Sequence, residues 1–105
     1  MRIDIATLFP DMCEAVLNES IIGRARKGGK IELHCHQIRD YTLDKHRRVD
    51  DSPYGGGMGM VMQCEPIYRC FNIVTEGFSV RPRVIYMSPK GSVFTQKKAV
   101  ELSIA

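Results

Sequence analysis

Apolar and polar residues follow readable rhythms along this chain, and the rhythm changes from segment to segment. Ile3, Ile5 and Leu8 ahead of Pro10 predict a strand over 1–9. Pro10-Asp11 opens a helix, because Met12, Ala15, Val16 and Leu17 recur at helical spacing. Ser20 stands where a second short helix would be capped, and Gly28-Gly29 follow Lys27 where it would end. Residues 30–38 alternate: Ile31, Leu33 and Cys35 share one face, and Glu32, His34 and His36 share the other. That period of two predicts a half-buried strand.

Residues 39–60 carry no periodic apolar pattern and predict a long polar loop, a length that in a compact domain marks function or disorder. Helical spacing returns over 65–78, with Pro66 in the first turn and Gly77 at the end. Residues 84–87, Val-Ile-Tyr-Met, predict a short strand stopped by Ser88-Pro89-Lys90-Gly91, and Thr95 is placed to cap a last helix running to 105. The order β-α-β-loop-α-β-α predicts an α/β fold with a largely parallel sheet. Three strands make a thin sheet for that class, whose faces need cover. The last helix has no C-cap and ends on Ile104-Ala105, so the pattern predicts a chain cut within a domain; a small three-strand domain is the alternative.

A length of 105 residues bounds the chain at one domain. A chain of that size buries roughly 65% of its extended surface when fully folded. No run approaches the ~20 apolar residues of a membrane helix. The opening Met1-Arg2-Ile3-Asp4-Ile5 is not a signal peptide, and Cys13, Cys35, Cys64 and Cys70 lie among apolar residues without metal or redox spacing. These features predict reduced, buried thiols and a cytoplasmic, non-membrane protein. The net charge is +3, and residues 23–30 and 81–98 hold cations without a single acid. Such segments suit a polyanion, although solvated faces explain the charge alone better.

The densest chemical signal is the run from Asp50 to Met60, with glycine at 55, 56, 57 and 59. A backbone stripped of side chains can lie flat against a ligand and offer it N–H groups. It is not a P-loop, because no lysine follows at the required spacing, and Met62 stands where a dinucleotide fingerprint needs glycine. Tyr54 adds a ring on which a base can stack, a contact worth roughly 1–3 kcal/mol. Without further information a simple glycine turn explains the run equally well.

Ahead of it, Arg39, Lys45, His46, Arg47 and Arg48 are interleaved with Asp40, Asp44, Asp50 and Asp51. Two roles fit this near-neutral cluster. Asp40–Arg39 or Asp44–Arg48 pairs order the loop, or Arg47 and Arg48 reach nucleic-acid phosphates while the aspartates hold its geometry. Nothing in the sequence positions His46 as a proton acceptor. His34, His36 and Glu32 read as a solvated strand face rather than a metal site, so no metal is expected.

Residues 1–10, 22–25, 39–42, 46–47, 49–51, 53–57, 59–60 and 86–89 occur in the order and spacing of one family. The chain resembles the N-terminal part of the bacterial tRNA (guanine-N1)-methyltransferases, of the knotted SPOUT class. The resemblance implies a partial parallel-sheet trefoil-knot domain over 1–105, cut before the knot and lacking the C-terminal tRNA-binding domain. It implies methyl transfer from S-adenosylmethionine to N1 of the guanosine 3′ of the anticodon (position 37) in tRNA, by a homodimer. Asp50, Tyr54, Gly55, Gly56, Gly57 and Gly59 would shape the pocket of a flipped guanine. Arg47 and Arg48 would meet the tRNA, and Tyr86, Met87, Ser88 and Pro89 would wall the S-adenosylmethionine site. Met58 and Met87 depart from the residues common in that family. Its catalytic arginine and aspartate would lie beyond Ala105, so the chain alone is expected to be inactive. The alternative is a non-catalytic RNA-binding fragment or module, which would bind tRNA with a steep salt dependence and ignore S-adenosylmethionine.

Overall fold

The protein is described here by a computed structural model covering residues 1–51 and 60–104. Its framework is a parallel pair of strands, β1 (Arg2–Thr7) and β2 (Glu32–Gln37), in register from Arg2 opposite Glu32 to Thr7 opposite Gln37. Parallel neighbours need a crossover, and α1 (Pro10–Leu17) and α2 (Ser20–Lys27) provide it. A 3-10 turn (Ile38–Tyr41) leaves β2. A short antiparallel ribbon follows, β3 (Asp50–Asp51) against β4 (Val61–Met62), and leads into α3 (Cys64–Val74). Helix α4 (Gln96–Ser103) closes the described chain. The expected α/β fold with a parallel sheet is therefore present.

Local chemistry explains most boundaries. Pro10 sits in the first turn of α1, where no amide is needed. Gly29 ends the α2 turn at φ +72°, a conformation costly for any residue with a Cβ. Thr95 caps α4 as expected, its hydroxyl accepting from the Lys98 amide at 3.2 Å. Ser20 does not cap α2. Glu19 takes the extended cap position without a side-chain bond, and Ser20 is the first helical residue, at φ +56°. The chain has only two residues to turn between helices, and the turn strains Ser20 instead of freeing it.

The alternation of β2 sorts its faces as the pattern predicted. Leu33 is buried, and α1 packs against the strand. On the other face the register places Arg2 and Asp4 beside Glu32, His34 and His36. Asp4 bridges Arg2 at 3.0 Å and His36 at 2.9 Å, and His34 reaches Glu32 at 2.9 Å. Burial alone would raise the Asp4 carboxyl, but the Arg2 and His36 hydrogen bonds outweigh it and hold it below the usual range. Arg2 also lies 5.0 Å above the Phe78 ring, which draws the segment after α3 onto the strands. Arg26 joins three elements: its guanidinium donates to Glu14 (2.8 Å), Asn18 (3.0 Å) and the Leu33 carbonyl (3.4 Å).

The core is thin. Among the described residues the buried apolar side chains are Leu33 on β2 and Ile38, Val49, Pro66 and Cys70 from the 3-10 turn, the segment before β3 and α3, which packs on that turn. The accessible surface is 8831 Å², whereas a compact monomer of this mass presents about 6,000 Å². About half of the extended surface is buried, short of the 65% expected from length.

Two further expectations are corrected. Residues 84–87 form no strand: among the described residues 79–94 hydrogen-bond only within the Ser88–Gly91 turn, and Val84, Ile85, Tyr86 and Met87 are exposed. A strand exists only through a partner's backbone, and here that segment has none. The thiols are also not uniformly buried. Cys70 is buried, Cys13 and Cys35 are half-buried, and Cys64 is exposed at the start of α3; all four are free. Burial pushes the Cys70 and Cys35 thiols up, away from the reactive thiolate.

Candidate functional site

The site is assembled at the carboxyl ends of β1 and β2, the edge where open α/β sheets leave backbone groups free for ligands. Gln37, the last residue of β2, ties this edge together. Its amide nitrogen donates to the Leu8 carbonyl at 3.0 Å, and its oxygen accepts the Arg39 amide at 3.1 Å. The chain then turns through Ile38, buried against α3, into residues 42–49.

That segment, which the sequence predicts as unpatterned loop, is densely hydrogen-bonded. Asp44 organises it. One carboxylate oxygen accepts the His46 amide (3.0 Å), the Arg48 amide (2.9 Å) and Arg48 Nε (3.2 Å), and the other accepts Arg48 Nη2 (3.3 Å). The Asp44 amide donates to the Thr42 hydroxyl at 3.2 Å, which donates to the Arg48 carbonyl at 2.9 Å. The Arg48 guanidinium and these backbone N–H groups hold the Asp44 carboxyl down at about 2. Arg47 adopts φ +57°, its carbonyl accepts from Arg39 at 2.8 Å, and its guanidinium pairs with Asp40.

Of the two ordering pairs considered from sequence, Asp44–Arg48 is present, while Asp40 takes Arg47 in place of Arg39. Both arginines stay well exposed, and Lys45 and His46 lie outward at the tip. Among the described residues Lys45 has no ion pair or hydrogen bond.

Beyond the turn, Val49 is buried, and its carbonyl accepts the Gln63 amide at 2.6 Å. Asp50 faces Met62 across the ribbon, and its carbonyl accepts the Gln63 side chain at 3.3 Å. The ribbon therefore fixes both chain ends that flank the glycine run. Tyr54, Gly55, Gly56, Gly57 and Gly59 lie outside the described residues, as does Met58. Asp50, Arg47 and Arg48 come together on one ordered strip of chain. Tyr86 to Pro89 occupy a separate, open segment, with Tyr86 87% and Met87 84% exposed. Ser88 is the exception, half-buried, its hydroxyl accepting the Lys90 amide at 3.1 Å.

The imidazoles of His34 and His36 face carboxylates, and among the described residues no three His, Cys, Asp or Glu side chains converge as metal donors. No described helix is long and apolar enough to cross a membrane. Sequence reasoning missed Gln37 as the fastener of the strand edge, and it named the Asp44–Arg48 pair but not the two backbone amides that Asp44 also holds. For Asp44 a signal existed, the four-residue spacing to Arg48 together with a side chain able to bond amides two and four residues on.

The family model for tRNA (Guanine-1)-methyltransferase TrmD matches residues 1–105. A tRNA (guanine-N(1)-)-methyltransferase of Ruminiclostridium cellulolyticum is 52% identical over 103 residues, covering 98% of this chain and 44% of that protein. Its counterpart in Porphyromonas gingivalis is 55% identical over 106 residues, covering 99% of this chain and 46% of that protein. The crystal structure of tRNA (m1G37) methyltransferase from Aquifex aeolicus superposes with a TM-score of 0.87 at 35% identity, over 98% of this chain and 46% of that one. The chain thus spans less than half the length of the curated relatives it matches.

Proposed function

This chain belongs to the tRNA (guanine-1)-methyltransferase family, and from that premise we propose that it forms the guanosine-side part of a site that methylates N1 of the guanosine 3′ of the anticodon, position 37, in tRNA. The observation that carries this is the ordered strip Arg47–Asp50 at the strand edge, leading into the glycine run of a chain matched end to end by the family model. Asp50, Tyr54, Gly55, Gly56, Gly57 and Gly59 accept the extracted base, the ring of Tyr54 stacking on it. Arg47 and Arg48 contact phosphates, with Asp40 and Asp44 fixing where their guanidiniums point.

S-adenosylmethionine is the methyl donor in this reading, supplying a methyl group activated by its sulfonium. Tyr86, Met87, Ser88 and Pro89 fit one wall of its site: an exposed apolar edge whose backbone, among the described residues, bonds only through Ser88 in the turn to Gly91. They do not enclose it, since ligand sites bury most of a small molecule's surface and this segment stands open. Residues 1–105 therefore act as part of one methyltransferase domain, completed in the cytoplasm by further chain and by a second copy in a homodimer. The exposed apolar surface along 84–94 supports that completion.

Two measurements test the proposal. Labelled S-adenosylmethionine and unmodified tRNA should give no methyl transfer with this chain alone, and calorimetry should detect no micromolar binding of the donor. Transfer by the chain alone would overturn the partial-site reading. Appending to it the remaining length of a relative should restore transfer to position 37, and failure to label that guanosine would overturn the enzymatic assignment.

A further inference from the structure

The turn 44–48 is built so that its acidic residue is consumed inward and its cation is left outward. Asp44 spends both carboxylate oxygens on the His46 and Arg48 amides and on the Arg48 guanidinium. Asp40 holds the Arg47 guanidinium. Between these fastened groups Lys45 is exposed and without a partner among the described residues. A lysine on a floppy loop loses rotamer and backbone freedom when it grips a phosphate; one on a turn already locked at both ends loses less.

We infer that Lys45 is a tRNA phosphate contact and that Asp44 is the positioning residue that presents it. This rests on the tRNA reading given above, and it deepens that reading by naming the cation of this turn that, among the described residues, no acid holds. The arginines must share their charge with neighbouring aspartates, whereas Lys45 brings a whole one.

Anisotropy of labelled unmodified tRNA, titrated with this chain across a range of salt, provides the test. Lys45→Gln should weaken binding about five- to tenfold at 0.1 M salt and lower the salt slope by about one. Lys97→Gln, the same charge change on α4, should leave both unchanged. Asp44→Ala should reproduce the Lys45 loss with Lys45 intact, and should speed exchange of the His46 and Arg48 amides. Asp44→Asn keeps an oxygen for those amides, so it should restore slow exchange and wild-type or tighter binding.

If Lys45→Gln binds like wild type, or no more weakly than Lys97→Gln, the contact is overturned while the tRNA reading stands. If Asp44→Ala binds like wild type, or Asp44→Asn fails to rescue, the positioning role is overturned. If the wild-type chain binds no tRNA even at low salt, the tRNA reading fails for this chain and the inference falls with it.

Discussion

Single residues here act through what their side chains do to nearby backbone. Asp44 has its carboxyl lowered from 3.8 to about 2, chiefly by the Arg48 guanidinium and then by the Arg48 amide. A carboxyl depressed in the folded state stabilises the fold above its unfolded value and loses that contribution as pH falls through the folded value. The turn 44–48 should therefore be intact above about pH 4 and come apart between there and pH 2, read by NMR from the Arg48 amide during acid titration. A midpoint near 4 would show that the carboxyl is not engaged. Gly23 makes the opposite kind of case. Replacing an exposed helix glycine with alanine usually gains about 1 kcal/mol. Here a Cβ would come within 2.1 Å of the Asn18 carbonyl oxygen, at the close turn between α1 and α2. Gly23→Ala should thus cost about 1–3 kcal/mol in urea unfolding, and a gain would mean that the turn yields easily.

At the scale of elements, the contrast is between β2 and residues 84–87. Both read as strands in the sequence, β2 by alternation and 84–87 by an apolar run, yet β2 has β1 along its whole length and the other has no partner strand among the described residues. Amide exchange should be slow at Ile3, Ile5, His34 and His36, whose amides point across the parallel pair, and fast across 84–87. Stability should follow the same division. Leu33→Ala should lose about 2–5 kcal/mol by emptying a packed site, while Ile85→Asn, 58% exposed, should stay within about 0.5 kcal/mol of wild type. A large loss at Ile85 would show that the segment is packed in solution. The periodic elements were legible in the sequence because period and caps are local: β1, α1, the span of α2, β2 and α4 lie close to where the pattern put them, and α3 starts there but stops at Val74, short of Gly77. The Asp44 turn was not, since its bonds replace a periodic pattern with a single side chain meeting several amides.

For the whole molecule the deciding quantity is surface. The radius of gyration is 16.0 Å with extents of 45 × 29 × 29 Å, against about 13 Å for a compact chain of 100 residues. Scattering from dilute solution should return about 16 Å, and a hydrophobic dye should bind the apolar side chains along 84–94. A value of 13 Å with no dye binding would mean that the segment folds back over the helices. The proposed site has the same openness, with an ordered strip on the guanosine side and an uncovered wall on the donor side.

By itself the sequence determined the α/β class, the β-α-α-β opening, the two later helices, the faces of β2 and the family, because those depend on residue spacing along the chain. Only the tertiary structure decided that 84–87 is not a strand, that Asp40 takes Arg47, and that Asp44 locks the turn beneath Lys45. Each of those depends on whether a partner group lies within hydrogen-bonding reach in space. Position along the chain constrains that only for near neighbours.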